Sequence, residues 1–165
     1  QQLAQNYAKR LLDSLNYVGV LALELFQAGE TLLANEMAPR VHNSGHWTIE
    51  GAETSQFENH LRAILGLPLG ATTPVGYAAM VNFISTIPKL EHVLALPGAH
   101  LHNYGKEARP CRKLGHATLR AQNEQALQEG IDRLLTLAQL RPKSEFHEQS
   151  GTTINGIYRT SYCAN

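Results

Sequence analysis

The sequence predicts an α+β fold, helices beside small antiparallel sheets, and three observations predict it. Leu3, Tyr7, Ala8, Leu11, Leu12 and Leu15 recur at helical spacing. Two apolar, β-prone runs flank Ala28-Gly29, which supplies the chemistry of a hairpin turn. Further on, short apolar or alternating runs are bounded by glycine, proline and asparagine, the punctuation of strands rather than of long helices.

Taken in order, residues 3–15 are expected to form an amphipathic helix and residues 17–26, rich in Val, Leu and aromatics, a largely buried strand. Residues 31–37 run back as its hairpin partner. Residues 38–54 are expected to be a long polar loop, punctuated by Pro39, Gly45 and Gly51; loops of that length in compact domains are usually functional or disordered. Ser55 and Glu58 have the spacing of a capping box and open a helix whose stripe is Phe57, Leu61, Ile64 and Leu65. That helix is expected to end near Gly66. Two glycines and two prolines between Gly66 and Pro74 mark a subdomain boundary. Residues 77–84, 99–104 and 115–120 read as strands, and Asn123 caps a last helix carrying Ala126, Leu127, Ile131, Leu134 and Leu135. From Ser144 the periodicity dissolves. The expected organisation is therefore 1–70, then a smaller β-rich domain over 71–143, then an unassigned tail over 144–165.

Composition narrows the function classes. The chain has 165 residues, 43% of them hydrophobic, with 14 basic and 14 acidic side chains and 8 histidines. A formal charge of zero gives no global field for nucleic acid or anionic membrane, so any basic patch is local. No apolar run approaches the roughly 20 residues of a membrane span, and neither a membrane nor a nucleic-acid partner is expected. The expected location is the cytoplasm, with Cys111 and Cys163 as reduced thiols, too few and too far apart for a disulfide framework or a cysteine zinc site. The chain opens at Gln1, directly in helical periodicity, and is expected to be the inside of a larger protein.

Residues 35–48 concentrate an acid, an arginine, two histidines and the single tryptophan. Buried charge is costly unless paired or metal-bound, so this mixture suits a site better than a core. Glu24 lies within the apolar run Val20 to Phe26, and Glu36 closes the returning strand. A hairpin centred near Glu30 sets them opposite each other on one face, where two carboxylates repel unless a cation lies between them. Mg²⁺, which takes a few carboxylates and fills its octahedron with water and phosphate oxygens, suits that pair. The plain structural alternative leaves Glu24 at a solvated edge and pairs Glu36 with Arg40. Arg40, His42 and Asn43 offer a planar cation, a titratable ring and an amide to a small anion such as carboxylate, carbonate or phosphate. His42 and His46 have zinc-ligand spacing only on a helix, which Pro39 and Gly45 oppose. Lys106, Arg109, Arg112 and Lys113 crowd one loop flanked by Gly105 and Gly115, suited to a phosphate-bearing ligand; the alternative is a solvated basic loop.

The runs Tyr17 to Phe26, Asn35 to Thr48 and Ser55 to Arg62, followed by Gly66-Leu67-Pro68-Leu69, His100-Leu101-His102 and Tyr104 to His116, closely resemble the 5-(carboxyamino)imidazole ribonucleotide synthase family of the ATP-grasp superfamily. The resemblance covers roughly residues 3–138, and its Arg-Val-His-Asn-Ser-Gly-His-Trp segment is highly specific. It implies the C-terminal part of an ATP-grasp domain followed by a small β-rich domain, and a homodimer for the full-length enzyme. It also implies an ATP-dependent carbon–nitrogen ligase of purine biosynthesis. In that reaction ATP and bicarbonate give carboxyphosphate, whose carboxyl group passes to 5-aminoimidazole ribonucleotide. By the resemblance, Glu24 and Glu36 hold Mg²⁺ and Asn35 and Glu36 lie beside the nucleotide. Arg40, His42 and Asn43 are the catalytic residues that hold bicarbonate or carboxyphosphate. Lys106, Arg109, Arg112 and Lys113 bind the ribonucleotide phosphate. Cys111 stands where the family usually has glycine, and Ala38 where many ATP-grasp enzymes have asparagine. Because the family's amino-terminal lobes have no counterpart in this sequence, the chain alone is expected to bind nucleotide weakly and not to turn over. The competing reading is a non-catalytic remnant or partner-binding fragment of the same enzyme; a histidine-rich zinc module is a third.

Overall fold

The computed structural model describes residues 2–138, and the tail from Ser144 lies outside them. The chain divides into two compact units, Gln1–Ile49 with Glu53–Thr73, and Glu50–Ala52 with the residues from Pro74 onward. Helices and antiparallel strands make up both.

In the first unit, helix α1 (Gln2–Leu15) ends in a Schellman turn. Asn16 takes a left-handed φ of 47°, its N–H donates to the Asp13 carbonyl, and the Tyr17 N–H reaches back to Leu12. Asparagine tolerates that conformation better than most side chains. The first strand, β1 (Ala22–Ala28), begins five residues later than the run of apolar residues predicts. Gly19 breaks the extension: its φ is 128°, and a Cβ there would stand 2.9 Å from the His60 ring. The Val20 N–H is committed to His60 Nδ1 at 3.0 Å, and the Tyr17 hydroxyl to the carbonyls of Val20 and Pro39, so this stretch bonds to side chains rather than to a ladder.

Strand β2 (Thr31–Ala38) returns antiparallel across Gly29 and Glu30. Ala28 pairs with Thr31 and Gln27 with Leu32, a register that, if continued, would put Glu24 opposite Asn35. A bulge between Glu24 and Leu25 shifts the pairing and sets Glu24 opposite Glu36. The expected carboxylate pair is present, produced by the bulge and not by a hairpin centred on Glu30.

The expected irregular loop over 38–54 holds two short helices, a 3₁₀ turn at Asn43–Gly45 and α2 (Thr48–Gly51). Ser55 caps α3 (Gln56–Ile64) by accepting the Glu58 N–H at 3.2 Å. The apolar stripe of that helix is not buried: Leu61, Ile64 and Leu65 are more than half exposed, and neither α1 nor α3 has a buried residue. Among the described residues of this unit, Ala38 is the one buried hydrophobic side chain.

The second unit carries the core. Strand β3 (Tyr77–Ile84) spans the predicted residues, β4 (Ala99–Asn103) ends one residue early, and β5 (Lys113–Ala121) extends past the expected 115–120 at both ends. They form an antiparallel sheet in the order β3-β5-β4. Helix α5 (Glu124–Leu137) starts at the Asn123 cap, whose Oδ1 accepts the Ala126 N–H at 2.9 Å. Leu127, Ile131 and Leu134 of α5 pack with Ala79, Val81, Phe83, Ala117 and Leu119 of the sheet and with Val93 of α4 (Leu90–Leu94), a short helix with no sequence signal of its own. Burying such side chains contributes about 1.5–3 kcal/mol each relative to exposure, so this unit holds its shape through apolar packing.

Candidate functional site

The hairpin of the first unit presents an acidic face. Glu24 and Glu36 are register partners, and both reach one imidazole: Glu24 Oε1 lies 3.6 Å from His42 Nδ1, and Glu36 Oε1 lies 3.8 Å from His42 Nε2. Asn35 adds an amide, its Nδ2 donating to Glu24 Oε2 at 3.2 Å. His42 is 7% exposed, whereas half of the Glu36 side chain faces solvent. His42 Nδ1 accepts the Ser44 N–H and lies 2.8 Å from Ser44 Oγ, so the ring proton belongs on Nε2, the nitrogen turned towards Glu36.

Two carboxylates converging on one partly open face concentrate negative charge, which a divalent cation neutralises. Among the described residues no three His, Cys, Asp or Glu side chains are grouped to enclose a metal. Mg²⁺ needs no such cage, since one or two carboxylates suffice when water and phosphate oxygens complete the octahedron. The pair therefore fits that ion. A shared metal for the two histidines is disfavoured by their partners: His46 Nδ1 lies 2.8 Å from Gln56 Nε2, and its ring tilts on Phe57, while His42 faces the glutamates.

Arg40 and Asn43 flank His42 along the chain. The expected alternative pairing of Arg40 with Glu36 does not form. The Arg40 guanidinium is exposed and donates to the Val41 carbonyl at 2.9 Å, which leaves most of its fork available to an anion.

What holds His42 in place is a residue the sequence reading assigned only to a helix start. Gln56 clamps the backbone of His42 from both sides, with Oε1 accepting its N–H at 3.0 Å and Nε2 donating to its carbonyl at 2.7 Å. The Gln56 N–H itself donates to Thr48 Oγ1 at 2.9 Å, and Thr48 donates back to the Gly45 carbonyl. A Cβ at Gly45 would meet Gln56 Oε1 at 2.5 Å, so a larger residue there would displace the clamping amide. The one available signal was an amide at the first turn of a helix directly after a site-like loop.

In the second unit three of the four expected cations, Lys106, Arg109 and Arg112, lie on the connection from β4 to β5. Gly105 N–H donates to Asn103 Oδ1, closing the turn, and Lys106 Nζ stands 5.1 Å from the centre of the Tyr104 ring. Arg109 forms an exposed ion pair with Glu107 at 2.8 Å, a contact of about 0–1 kcal/mol, and Arg112 donates to the Glu107 carbonyl. Lys113 begins β5. Cys111 takes a φ of 59°, the left-handed region that favours glycine, and its N–H donates to Ser85 Oγ at 2.9 Å. The expectation of a reduced thiol is not met at Cys111, which is disulfide-bonded; Cys163 lies outside the described residues.

Comparison with known proteins accounts for both segments. Residues 1–57 match the family model for the ATP-grasp domain, and residues 78–130 match that for the phosphoribosylaminoimidazole carboxylase C-terminal domain. The chain is 59% identical over 131 residues to the N5-carboxyaminoimidazole ribonucleotide synthase of Pseudomonas aeruginosa, an alignment covering 79% of this chain and 36% of that protein. It superposes on the crystal structure of N5-carboxyaminoimidazole ribonucleotide synthetase from Thermus thermophilus with a TM-score of 0.82 and 63% identity, over 87% of this chain and 40% of the other. The Aspergillus clavatus synthase in complex with ADP and 5-aminoimidazole ribonucleotide gives a TM-score of 0.72 at 34% identity, over 84% of this chain and 40% of the other. The chain thus spans about two fifths of the length of these relatives, and in that span it belongs to the N5-carboxyaminoimidazole ribonucleotide synthase family.

Proposed function

We propose that this chain contributes the metal-, bicarbonate- and ribonucleotide-binding residues of an ATP-dependent ligase that carboxylates 5-aminoimidazole ribonucleotide. One observation carries the reading: Glu24, Glu36 and Asn35 converge with the buried His42 on one face of a bulged hairpin. That donor set suits an Mg²⁺-bound nucleotide. The 59% identity with a synthase named for the product supplies the substrate class.

In this reading Glu24 and Glu36 would hold Mg²⁺, which when bound neutralises nucleotide phosphate charge. Asn35 and Glu36 lie along the nucleotide. Arg40, with its guanidinium donating among the described residues only to a carbonyl of its own loop, and Asn43 donate to bicarbonate and then to carboxyphosphate, the planar fork suiting a carboxylate or phosphate edge. His42, with its proton on Nε2, adds a third donor whose aim is fixed by Ser44 and Gln56. Lys106, Arg109, Arg112 and Lys113 take the ribonucleotide phosphate. Catalysis is then positioning and charge stabilisation, the usual requirement of phosphoryl transfer. The apolar faces of α1 and α3, exposed here, fit a unit completed by further protein, and the family resemblance extends the reading to a cytoplasmic homodimer. No helix among the described residues is long and apolar enough to cross a membrane.

A chimera tests this directly. The 131 matched residues of this chain replace the corresponding stretch of the Pseudomonas synthase, and phosphate release is followed with ATP, bicarbonate and 5-aminoimidazole ribonucleotide. Turnover requiring all three substrates is the expected result. A folded chimera that still binds nucleotide but releases no phosphate would favour the non-catalytic remnant instead.

A further inference from the structure

The second unit contains a partly buried polar chain that the proposed reaction does not use, with the His116 ring and the Glu50 carboxylate buried and the His102 side chain 31% exposed. His102 and His116 are register partners on β4 and β5, so their side chains share one face of the sheet and stack, ring centres 4.5 Å apart and planes 14° from parallel. At one end, His102 Nε2 lies 2.6 Å from Glu50 Oε1, a charge-assisted contact on a carboxylate whose side chain is 9% exposed. At the other end, His116 Nδ1 lies 2.7 Å from the Tyr104 hydroxyl, and His116 is 1% exposed. The Tyr104 ring then lies under the Lys106 ammonium, 5.1 Å from its centre.

Apolar side chains of similar volume would fill this space at lower desolvation cost than a carboxylate and two imidazoles. Glu50 Oε2, moreover, is buried with no hydrogen-bond partner among the described residues. A network of that cost fixes geometry, and what it fixes is visible: it ends at the aromatic ring beneath a cation of the phosphate loop. We propose that Glu50, His102 and His116 are positioning residues that hold Tyr104, and through its ring Lys106, in the orientation that receives the phosphate of the ribonucleotide. The proposal rests on the reading that Lys106 binds that phosphate.

The test uses the 165-residue chain, with inorganic phosphate and then 5-aminoimidazole ribonucleotide titrated into it and followed by amide NMR shifts of residues 105–112. Tyr104→Phe keeps the ring and loses the hydroxyl; His116→Phe keeps a flat ring for the stack and loses Nδ1. Either is expected to weaken phosphate binding about threefold, the range of a lost cation–π orientation, and to diminish the ring-current shift of the Lys106 methylenes. Lys106→Met is expected to weaken binding at least as much, and adding Tyr104→Phe to it should weaken binding no further, because the tyrosine acts through the lysine. If Lys106→Met weakens binding while Tyr104→Phe leaves both affinity and the methylene shift unchanged, the positioning role is wrong and the phosphate reading stands. If Lys106→Met leaves phosphate binding unchanged, the reading of Lys106 fails and the positioning role with it. Should His116→Phe not fold, Tyr104→Phe carries the test alone.

Discussion

Replacing Gln56 by leucine should unfasten the centre of the candidate site. The side chain makes three polar contacts, with the N–H and carbonyl of His42 and with His46 Nδ1. A net hydrogen bond contributes about 1 kcal/mol, and a donor or acceptor left unsatisfied costs about 1–3 kcal/mol. Leucine fills the volume and excludes water from the place of the amide, so the expected loss for the first unit is about 3 kcal/mol. For a segment of this size each kcal/mol moves the midpoint by about 4–8 °C, giving a fall of roughly 12–24 °C. Trp47, the single tryptophan, lies in this unit next to His46, so its fluorescence reports the transition selectively. Gln56→Glu is the stringent companion: it keeps the acceptor but sets an oxygen where Nε2 now faces the His42 carbonyl at 2.7 Å. A midpoint within about 3 °C of the parent for both variants would show that the clamp carries no energy, and the account of how His42 is held would be wrong.

Three further outcomes are expected. Glu36→Gln removes one of two carboxylates from a half-exposed position, so the fold should persist while Mg²⁺ affinity, measured by calorimetry, falls about tenfold or more with one fewer charged ligand; an unchanged affinity would remove Glu36 from the metal site. Leu134→Ala empties a fully buried position in the core of the second unit and should cost about 2–5 kcal/mol in urea unfolding, whereas a loss under 1 kcal/mol would mean that α5 is not anchored as described. Under reducing conditions, Cys111→Gly should stabilise the second unit by about 1 kcal/mol, because glycine relieves the left-handed backbone at φ 59°; destabilisation would show that the Cys111 side chain supplies packing that outweighs the strain.

Much of the architecture was legible because its signals are local. The stripe of α1, the Ser55 and Asn123 caps, the Gly29 turn and the strand over Tyr77–Ile84 each depend on residues a few positions apart. The departures from expectation are local too. Tyr17 to Leu21 has β-prone composition, but Gly19 and the bonds to His60 and Tyr17 take its backbone out of any ladder. Phe57, Leu61, Ile64 and Leu65 have core periodicity, yet periodicity says only that a face is apolar, not that this stretch of chain covers it.

The sequence by itself determined the chemistry available: paired acids, an Arg-Val-His-Asn run and a knot of cations, enough to specify a family. It could not determine which polar groups meet. Glu24 faces Glu36 because one bulge shifts a register by one residue, His42 is held by a glutamine fourteen positions away, and His102 stacks on His116 because the consecutive strands β4 and β5 pair in that register. Contacts of that kind depend on how strands pair and helices pack, a cooperative property of the whole unit. Only the tertiary structure could therefore show that a histidine pair lies behind the basic loop.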